Sequence, residues 1–324
     1  MVHAIGVDIG GTKVQFAAVD PEGRIMHRHL VYTEASLGPE QLMDKVLAGI
    51  DRIASLLPTD GEIAGIGVGS AGQIDFDTGR VAFAGDTLPG WTGMEIKRIV
   101  EERYRKPTFV DNDVNVIAVA EKVFGAGRGY SSFVCLALGT GVGGAIVEKG
   151  QLIRGAFGGA GELGHVSVDF NGPRCGCGNF GCIELYASGT GIARLGREAL
   201  FANEVNPGWE PNSRDIILAW GKGDPLAIEV MDLAIRALGT AIAGFIHTFN
   251  PDAVILGGGV SETGPRFFEA LNRAVHARTS DAMRKACTLL PAYVGADAGV
   301  IGAAAQVWYY EDFPKISSQE REKR

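Results

Sequence analysis

Apolar residues form two blocks between Ala4 and Val19, on either side of Asp8-Ile9-Gly10-Gly11-Thr12-Lys13, and Pro21-Glu22-Gly23 then turns the chain toward Arg24-Ile25. This pattern predicts strand, Gly turn, strand, turn, strand. It comes back later as Phe133 to Leu138, the turn Gly139-Thr140-Gly141-Val142-Gly143-Gly144, the apolar Ala145-Ile146-Val147, the turn Glu148-Lys149-Gly150 and Gln151-Leu152-Ile153. One architecture is used twice. Between the copies the spacing predicts a helix from Leu42 to Leu57, a buried strand from Ile63 to Val68 and a helix near Met94 to Tyr104. A short strand at Thr108 to Val110 and a helix from about Val114 to Phe124 complete that half. After the second copy come a loop-rich region, a helix around Leu226 to Phe249 and a strand from Ala253 to Leu256. A helix through Phe267 to Val275, a strand from Leu289 to Val294 and a last helix from Ala298 to Val307 follow. Sheets and helices mix in both halves, so the fold class is α/β.

Composition narrows the function. A chain of 324 residues has room for two lobes with separate cores, and its 46% hydrophobic and 21% charged residues are those of a globular enzyme. The net charge of −8 repels a phosphate backbone, and no Lys/Arg run occurs outside the polar tail at Glu320 to Arg324, so nucleic acid is not an expected partner. The N-terminus enters a strand pattern directly, without a basic region or cleavage site, and no stretch approaches membrane-spanning length. A cytoplasmic protein that does not engage membranes is the expectation.

The candidate chemistry lies in three places. Gly139 to Gly144 spells G-x-G-x-x-G, but a strand-like run follows it where a dinucleotide fold needs a helix, and no Walker sequence occurs. The two Gly turns do offer backbone N–H groups with no side chain in the way of phosphate oxygens. Asp8, Thr12 and Lys13 add a carboxylate for hydrated Mg²⁺, a hydroxyl and a cation, which suits the terminal phosphates of a nucleotide. Next, Val110-Asp111-Asn112-Asp113-Val114-Asn115 sits where a strand ends and a helix begins, the place at which open α/β sheets bind ligands. Helix capping accounts for at least one of these four Asx residues. A carboxylate able to take a hydroxyl proton, beside an amide able to hold a neighbouring hydroxyl, is what phosphoryl transfer to an alcohol requires. Finally, Cys175, Cys177 and Cys182 lie on a Gly-rich knuckle with His165 ten positions ahead, a donor set for tetrahedral Zn²⁺. Cys135 and Cys287 sit in apolar strands and read as core.

The chain resembles the ROK group of repressors and sugar kinases, and is most similar to its glucokinase-type members. The resemblance runs from Asp8-Ile9-Gly10-Gly11-Thr12-Lys13 through Gly161-Glu162-Leu163-Gly164-His165 and Cys175 to Cys182, to Asp297-Ala298-Gly299-Val300-Ile301-Gly302-Ala303-Ala304. It implies a two-lobed actin/hexokinase-like (ribonuclease H-like) fold with a duplicated core and a cleft between lobes. Residues 1–118 with about 300–324 would form the small lobe, and 119–299 the large lobe with the zinc loop.

The resemblance also assigns roles. Asp113 matches the catalytic base and Asn112 a sugar ligand, while Glu162, His165 and Glu184 match further sugar contacts, with Gly72 in a loop on the acceptor side. His165, Cys175, Cys177 and Cys182 match the ligands of a structural zinc. Gly10, Gly11, Thr12 and Lys13, together with Gly139, Thr140, Gly141 and Gly143, match the phosphate loops, and Gly257, Gly258 and Gly259 match the segment beside adenosine. The implied activity is an ATP-dependent hexose kinase using Mg²⁺, acting as a homodimer on glucose O6. N-acetylmannosamine, N-acetylglucosamine, mannose and fructose are alternative acceptors, and polyphosphate an alternative donor. Asp86-Thr87-Leu88 stands where many members carry an Asn before Pro-Gly-Trp, and Gly69-Ser70-Ala71-Gly72 lacks a common Pro; both departures lie on the acceptor side. A non-catalytic sugar-sensing regulator is the competing class. With seven residues ahead of Asp8, and with Asp8, Lys13 and Asp113 all present, a repressor is not the expectation.

Overall fold

The structure is a computed structural model that describes residues 2–58, 61–203 and 208–311. In chain order the strands and helices of the first stretch are β1 (Val2–Ile9), β2 (Lys13–Val19), β3 (Ile25–Tyr32), α1 (Pro39–Ala54), β4 (Glu62–Ser70), β5 (Gln73–Asp75), β6 (Arg80–Phe83), α2 (Ile96–Tyr104), β7 (Thr108–Asn112) and α3 (Asp113–Val123). There follow β8 (Phe133–Leu138), β9 (Val142–Glu148), β10 (Gln151–Leu152), α4 (Glu184–Ala187), α5 (Gly189–Asn203), α6 (Ser213–Gly221) and α7 (Pro225–Phe249). The chain ends with β11 (Ala253–Gly257), α8 (Pro265–His276), α9 (Asp281–Ala286), β12 (Thr288–Pro291) and α10 (Ala298–Glu311). The expected α/β class is what forms.

The chain divides into two compact units. The first holds the described residues up to Gly129, the segment Arg154–Ala160 and those from Tyr293 onward; the second holds Tyr130–Ile153 and Gly161–Ala292. A division at residue 118 would fall inside α3, whose last turns stay with the first unit. Buried Glu121 in those turns accepts hydrogen bonds from the backbone N–H of Ala126 and of Tyr293 and Val294, which ties in the returning chain.

In the first unit the sheet order is β3-β2-β1-β4-β7, with β1, β2 and β3 antiparallel and β4 and β7 parallel to β1. The register sets Ile9 beside Ser70 and Ser70 beside Asn112, so three strand ends share one edge. One sheet face packs Ile5, Val7, Val14 and Phe16 against Leu42, Val46 and Ile50 of α1. The other face takes α10 at very short range. A Cβ on Gly67 would lie 1.7 Å from the Ala303 carbonyl oxygen, and one on Gly302 would lie 1.8 Å from that of Val116. At Gly67 and Gly302 close backbone approach leaves no room for a side chain.

The second unit repeats the plan: its sheet order is β10-β9-β8-β11-β12, antiparallel from β8 to β10 and parallel through β11 and β12. Gly257 pairs with Ala137 and Leu138 with Val142, so the turn after β8 and the segment after β11 leave the same edge. Helix α7 buries Met231, Leu238, Ile242 and Ile246 in the core with Val134, Leu136 and Val254.

Two expectations need correcting. The loop-rich region contains α5 and α6. Gly189 and Gly191 weaken the helical signal at the start of α5, but Ile192 and Leu195 join the core with α7, and burial outweighs the ~1 kcal/mol penalty of each Gly. The strand expected to reach Val294 stops at Pro291, because the N–H groups of Tyr293 and Val294 donate to Glu121. No helix among the described residues is long and apolar enough to cross a membrane.

Candidate active site

The first unit gathers its chemistry at the shared strand edge. The Gly10 N–H donates to the Lys13 carbonyl at 3.0 Å, and Thr33 Oγ1 donates to the Gly10 carbonyl at 2.6 Å, which pins a turn whose Gly11, Thr12 and Lys13 are exposed. Asp8 ends in front of Gly299, where an added Cβ would lie 2.4 Å from its Oδ2. Burial raises the Asp8 pKa above the usual carboxylate value, opposed by a hydrogen bond with Gln15 and the charge of Lys13.

Asn112 is the N-cap of α3. Its Oδ1 accepts from the N–H of Val114 at 2.8 Å and of Asn115 at 3.2 Å, and its Nδ2 donates to the Gly72 carbonyl at 2.9 Å. Asp113 is the first helical residue, with its Oδ1 accepting from the Val114 N–H at 2.9 Å. Asn112, Asp113 and Gly72 are thus brought together. Gly72 has φ +101°, and a Cβ there would lie 2.5 Å from the Phe83 carbonyl oxygen, so only glycine fits. Trp91 of the Pro-Gly-Trp loop is buried and donates its indole N–H to Ser70 Oγ at 3.0 Å, which ties that loop to the end of β4.

In the second unit, Gly139 and Thr140 line a cavity of about 800 Å³ together with Gly189, Thr190, Arg214, Gly259 and Glu262. The Gly189 N–H donates to the Gly139 carbonyl at 2.8 Å, and Thr190 Oγ1 donates to that of Thr140 at 2.7 Å, so the start of α5 braces the turn. Gly258 has φ +88° and sits against the Leu138 carbonyl, where a Cβ would lie 2.6 Å from the oxygen. The turn and the segment after β11 meet in this one cavity, whose volume suits a nucleoside. Sequence reading missed Thr190, Arg214 and Glu262. Gly189-Thr190-Gly191 was the one available signal, a third Gly-rich turn.

His165, Cys175, Cys177 and Cys182 bring their donor atoms within 4.8 Å of one another. Cys177 Sγ lies 3.7 Å from Cys182 Sγ, and Cys175 Sγ lies 3.6 Å from His165 Nδ1. A tetrahedron with Zn–S near 2.3 Å has edges of about 3.7 Å, so the four donors fit zinc. The chemistry of the thiols agrees. Burial, and then Cys175 and Cys177, push the Cys182 thiol up to about 12, while the Asn179 backbone N–H draws that of Cys177 down. Without a cation the Cys182 thiol therefore stays protonated, and a bound metal is what would hold the three sulfurs together as thiolates. At Gly181 the knuckle runs so close to Asp169 that only glycine fits, since a Cβ there would lie 1.8 Å from the Asp169 carbonyl oxygen.

Glu184 stands next to this cluster. Its Oε1 is 3.9 Å from His165 Nδ1 and its Oε2 accepts from the Val142 N–H at 3.3 Å. The carboxylate also leans on the Gly turn, because a Cβ on Gly141 would be 2.5 Å from Oε2. Glu162 holds the turn before His165, its carbonyl accepting the His165 N–H at 3.1 Å.

Known proteins resemble this chain over nearly its whole length. The chain is similar to the glucokinase of Thermotoga maritima, 36% identical over 319 residues that cover 93% of this chain and 96% of that one. It is similar in structure to the ROK hexokinase from Thermus thermophilus, with TM-score 0.81 and 33% identity over 96% of this chain and 99% of that one. A ROK family glucokinase from Streptomyces griseus in complex with glucose and AMPPNP superposes with TM-score 0.78 and 34% identity, covering 93% of this chain and 98% of that one. The pattern of the ROK family matches residues 4–308, and with the duplicated sheets and the His/Cys knuckle already in view, the chain belongs to the ROK family.

Proposed function

We propose that this protein is an ATP-dependent glucose kinase that transfers the γ-phosphoryl group of ATP to the primary hydroxyl of glucose, with Asp113 as general base. The observation that carries this reading is the nearly full-length likeness to glucokinases, one of them holding glucose and AMPPNP, in a chain that keeps Asn112 and Asp113 at the end of β7. AMPPNP stands in for ATP with its hydrolysable bridge replaced.

In the proposed reaction Asp113 accepts the proton of the attacking hydroxyl. The sugar oxygen bonds to the γ-phosphorus, the bond to the bridging oxygen breaks, and ADP leaves. Asn112, Gly72, Glu162, His165 and Glu184 bind the other hydroxyls and orient the acceptor, which supplies much of the rate by fixing the reacting atoms. The turns Gly10 to Lys13 and Gly139 to Gly143 would face the phosphates, with the N–H groups of Gly11, Thr12, Thr140 and Gly141 as donors because those of Gly10, Gly139 and Val142 are engaged within the protein, and Gly257 to Gly259 would border the nucleoside. Mg²⁺ bound with the nucleotide neutralises its charge. Asp8, a carboxylate near the end of β1 and beside the turn at Gly10 to Lys13, would hold a hydrated Mg²⁺. His165 Nδ1 with Cys175, Cys177 and Cys182 would hold zinc, whose part is structural: it fixes the ring of His165 and, through it, the neighbourhood of Glu184.

The test is ADP release measured with a coupled assay over a panel of hexoses, with Asp113→Asn alongside the wild type. Glucose is expected to drive turnover, and the variant to lose roughly 10²- to 10⁴-fold in kcat. Absence of turnover with every sugar, while calorimetry shows glucose and ATP bound, overturns the reading.

A further inference from the structure

Asp111 is 1% exposed, and a carboxylate buried that deeply needs partners on both oxygens. Oδ1 accepts from the Asn112 backbone N–H at 2.8 Å and from Asn115 Nδ2 at 2.7 Å. Oδ2 accepts from Arg154 Nε at 3.0 Å and Nη2 at 2.6 Å. Asp111 therefore grips the residue before Asp113 and the residue two after it, and Arg154 in turn grips Asp111.

Arg154 is itself held on every side. Its guanidinium carbon lies 3.7 Å from the centroid of the Phe76 ring and 5.4 Å from that of Tyr310, and Nη2 donates to the Tyr310 hydroxyl. Burial, and then the charge of Asp111, push the Tyr310 phenol well above its usual pKa, so the hydroxyl stays protonated. The segment Arg154–Ala160 is anchored at a second point, since Gly158, φ +90°, lies so close to the Ile74 carbonyl that a Cβ would be 1.8 Å from its oxygen. A planar cation that sets two N–H donors on one Asp111 oxygen, lies over the Phe76 ring and holds the Tyr310 hydroxyl is a rigid reference for the end of β7, in a way that a lysine is not.

We infer that Arg154 is a positioning residue for the reaction: acting through Asp111, it sets the orientation in which Asn112 and Asp113 are presented to the acceptor sugar. This rests on the kinase reading above. Without Arg154, Asp111 is a buried, half-satisfied carboxylate, and the strand end must shift to let it find water or a proton. A displacement of that kind at a base costs turnover more than binding.

The experiment compares steady-state kinetics of the full chain as wild type, Arg154→Gln, Arg154→Lys and Asp111→Asn/Arg154→Gln, with folding checked by circular dichroism. Arg154→Gln is expected to lower kcat by roughly 10- to 100-fold with the KM for ATP unchanged. The double variant, which removes the buried charge and leaves two amides able to pair, is expected to recover part of that loss. A folded Arg154→Gln protein with wild-type kcat overturns the inference, and so does a double variant no better than the single one. Should Arg154→Gln not fold, Arg154→Lys decides. It keeps the charge but not the planar pair of donors, and is expected to lower kcat several-fold with the KM for ATP unchanged; wild-type kcat there overturns the inference. A wild type that turns over no sugar defeats the kinase reading itself, whereas an active wild type beside an unaffected Arg154→Gln defeats only the role of Arg154.

Discussion

Asn112 does two jobs that can be separated by substitution. Its carbonyl oxygen caps α3 through the N–H groups of Val114 and Asn115, and its amide nitrogen ties the Gly72 turn to the end of β7. Asn112→Ala loses both. The cap is worth about 1 kcal/mol and the link to the Gly72 carbonyl about 1 kcal/mol more, so the expected destabilisation is ~2 kcal/mol. Asn112→Asp keeps a capping oxygen, helped by the positive end of the helix, but turns the donor facing Gly72 into an acceptor, for an expected loss of ~1 kcal/mol. Urea unfolding of both variants at neutral pH, followed by far-UV circular dichroism with m-values compared, reads the difference. Because each releases the Gly72 turn and loses the amide proposed to hold a sugar hydroxyl, both should raise the KM for glucose. Equal destabilisation by the two substitutions would refute the separation of cap from link.

Other consequences can be checked independently. Cys182→Ser is expected to abolish bound zinc, measured by elemental analysis, and to raise the KM for glucose by roughly 10- to 100-fold while leaving that for ATP unchanged. Gly67→Ala places a methyl group 1.7 Å from the Ala303 carbonyl oxygen, so α10 must move off the sheet, and thermal unfolding should show a loss of about 3 kcal/mol. Asp8 has a folded-state pKa raised by burial, so its ionised form is disfavoured in the ligand-free protein at neutral pH. Asp8→Asn should therefore stabilise that protein against urea at neutral pH and abolish turnover. The gain should shrink as pH falls through the raised folded pKa and vanish below about 4, where Asp8 is protonated in both states.

The sequence made some parts of this site plain and hid others. The knuckle Cys175 to Cys182 and the two Gly turns were readable because donor spacing and missing side chains are local properties. Asn112 and Asp113 were readable because capping residues in excess of what a helix start needs are conspicuous. Arg154 was not, since an isolated arginine after a short strand resembles many solvated ones. Helices α5 and α6, with their Thr190 and Arg214, were also hidden, because burial of Ile192, Leu195 and Ile216 against the second unit's core outweighs a glycine-rich beginning.

By itself the sequence determined the α/β class, the duplicated hairpin plan, the His/Cys knuckle and the candidate base, since each follows from residues a few positions apart acting through backbone conformation and donor spacing. Only the tertiary structure decided what surrounds them. Ile9, Ser70 and Asn112 share an edge because of strand order, which the local pattern leaves free. Asp111 and Arg154, 43 positions apart, form a pair because burying a carboxylate demands a partner wherever along the chain one is found.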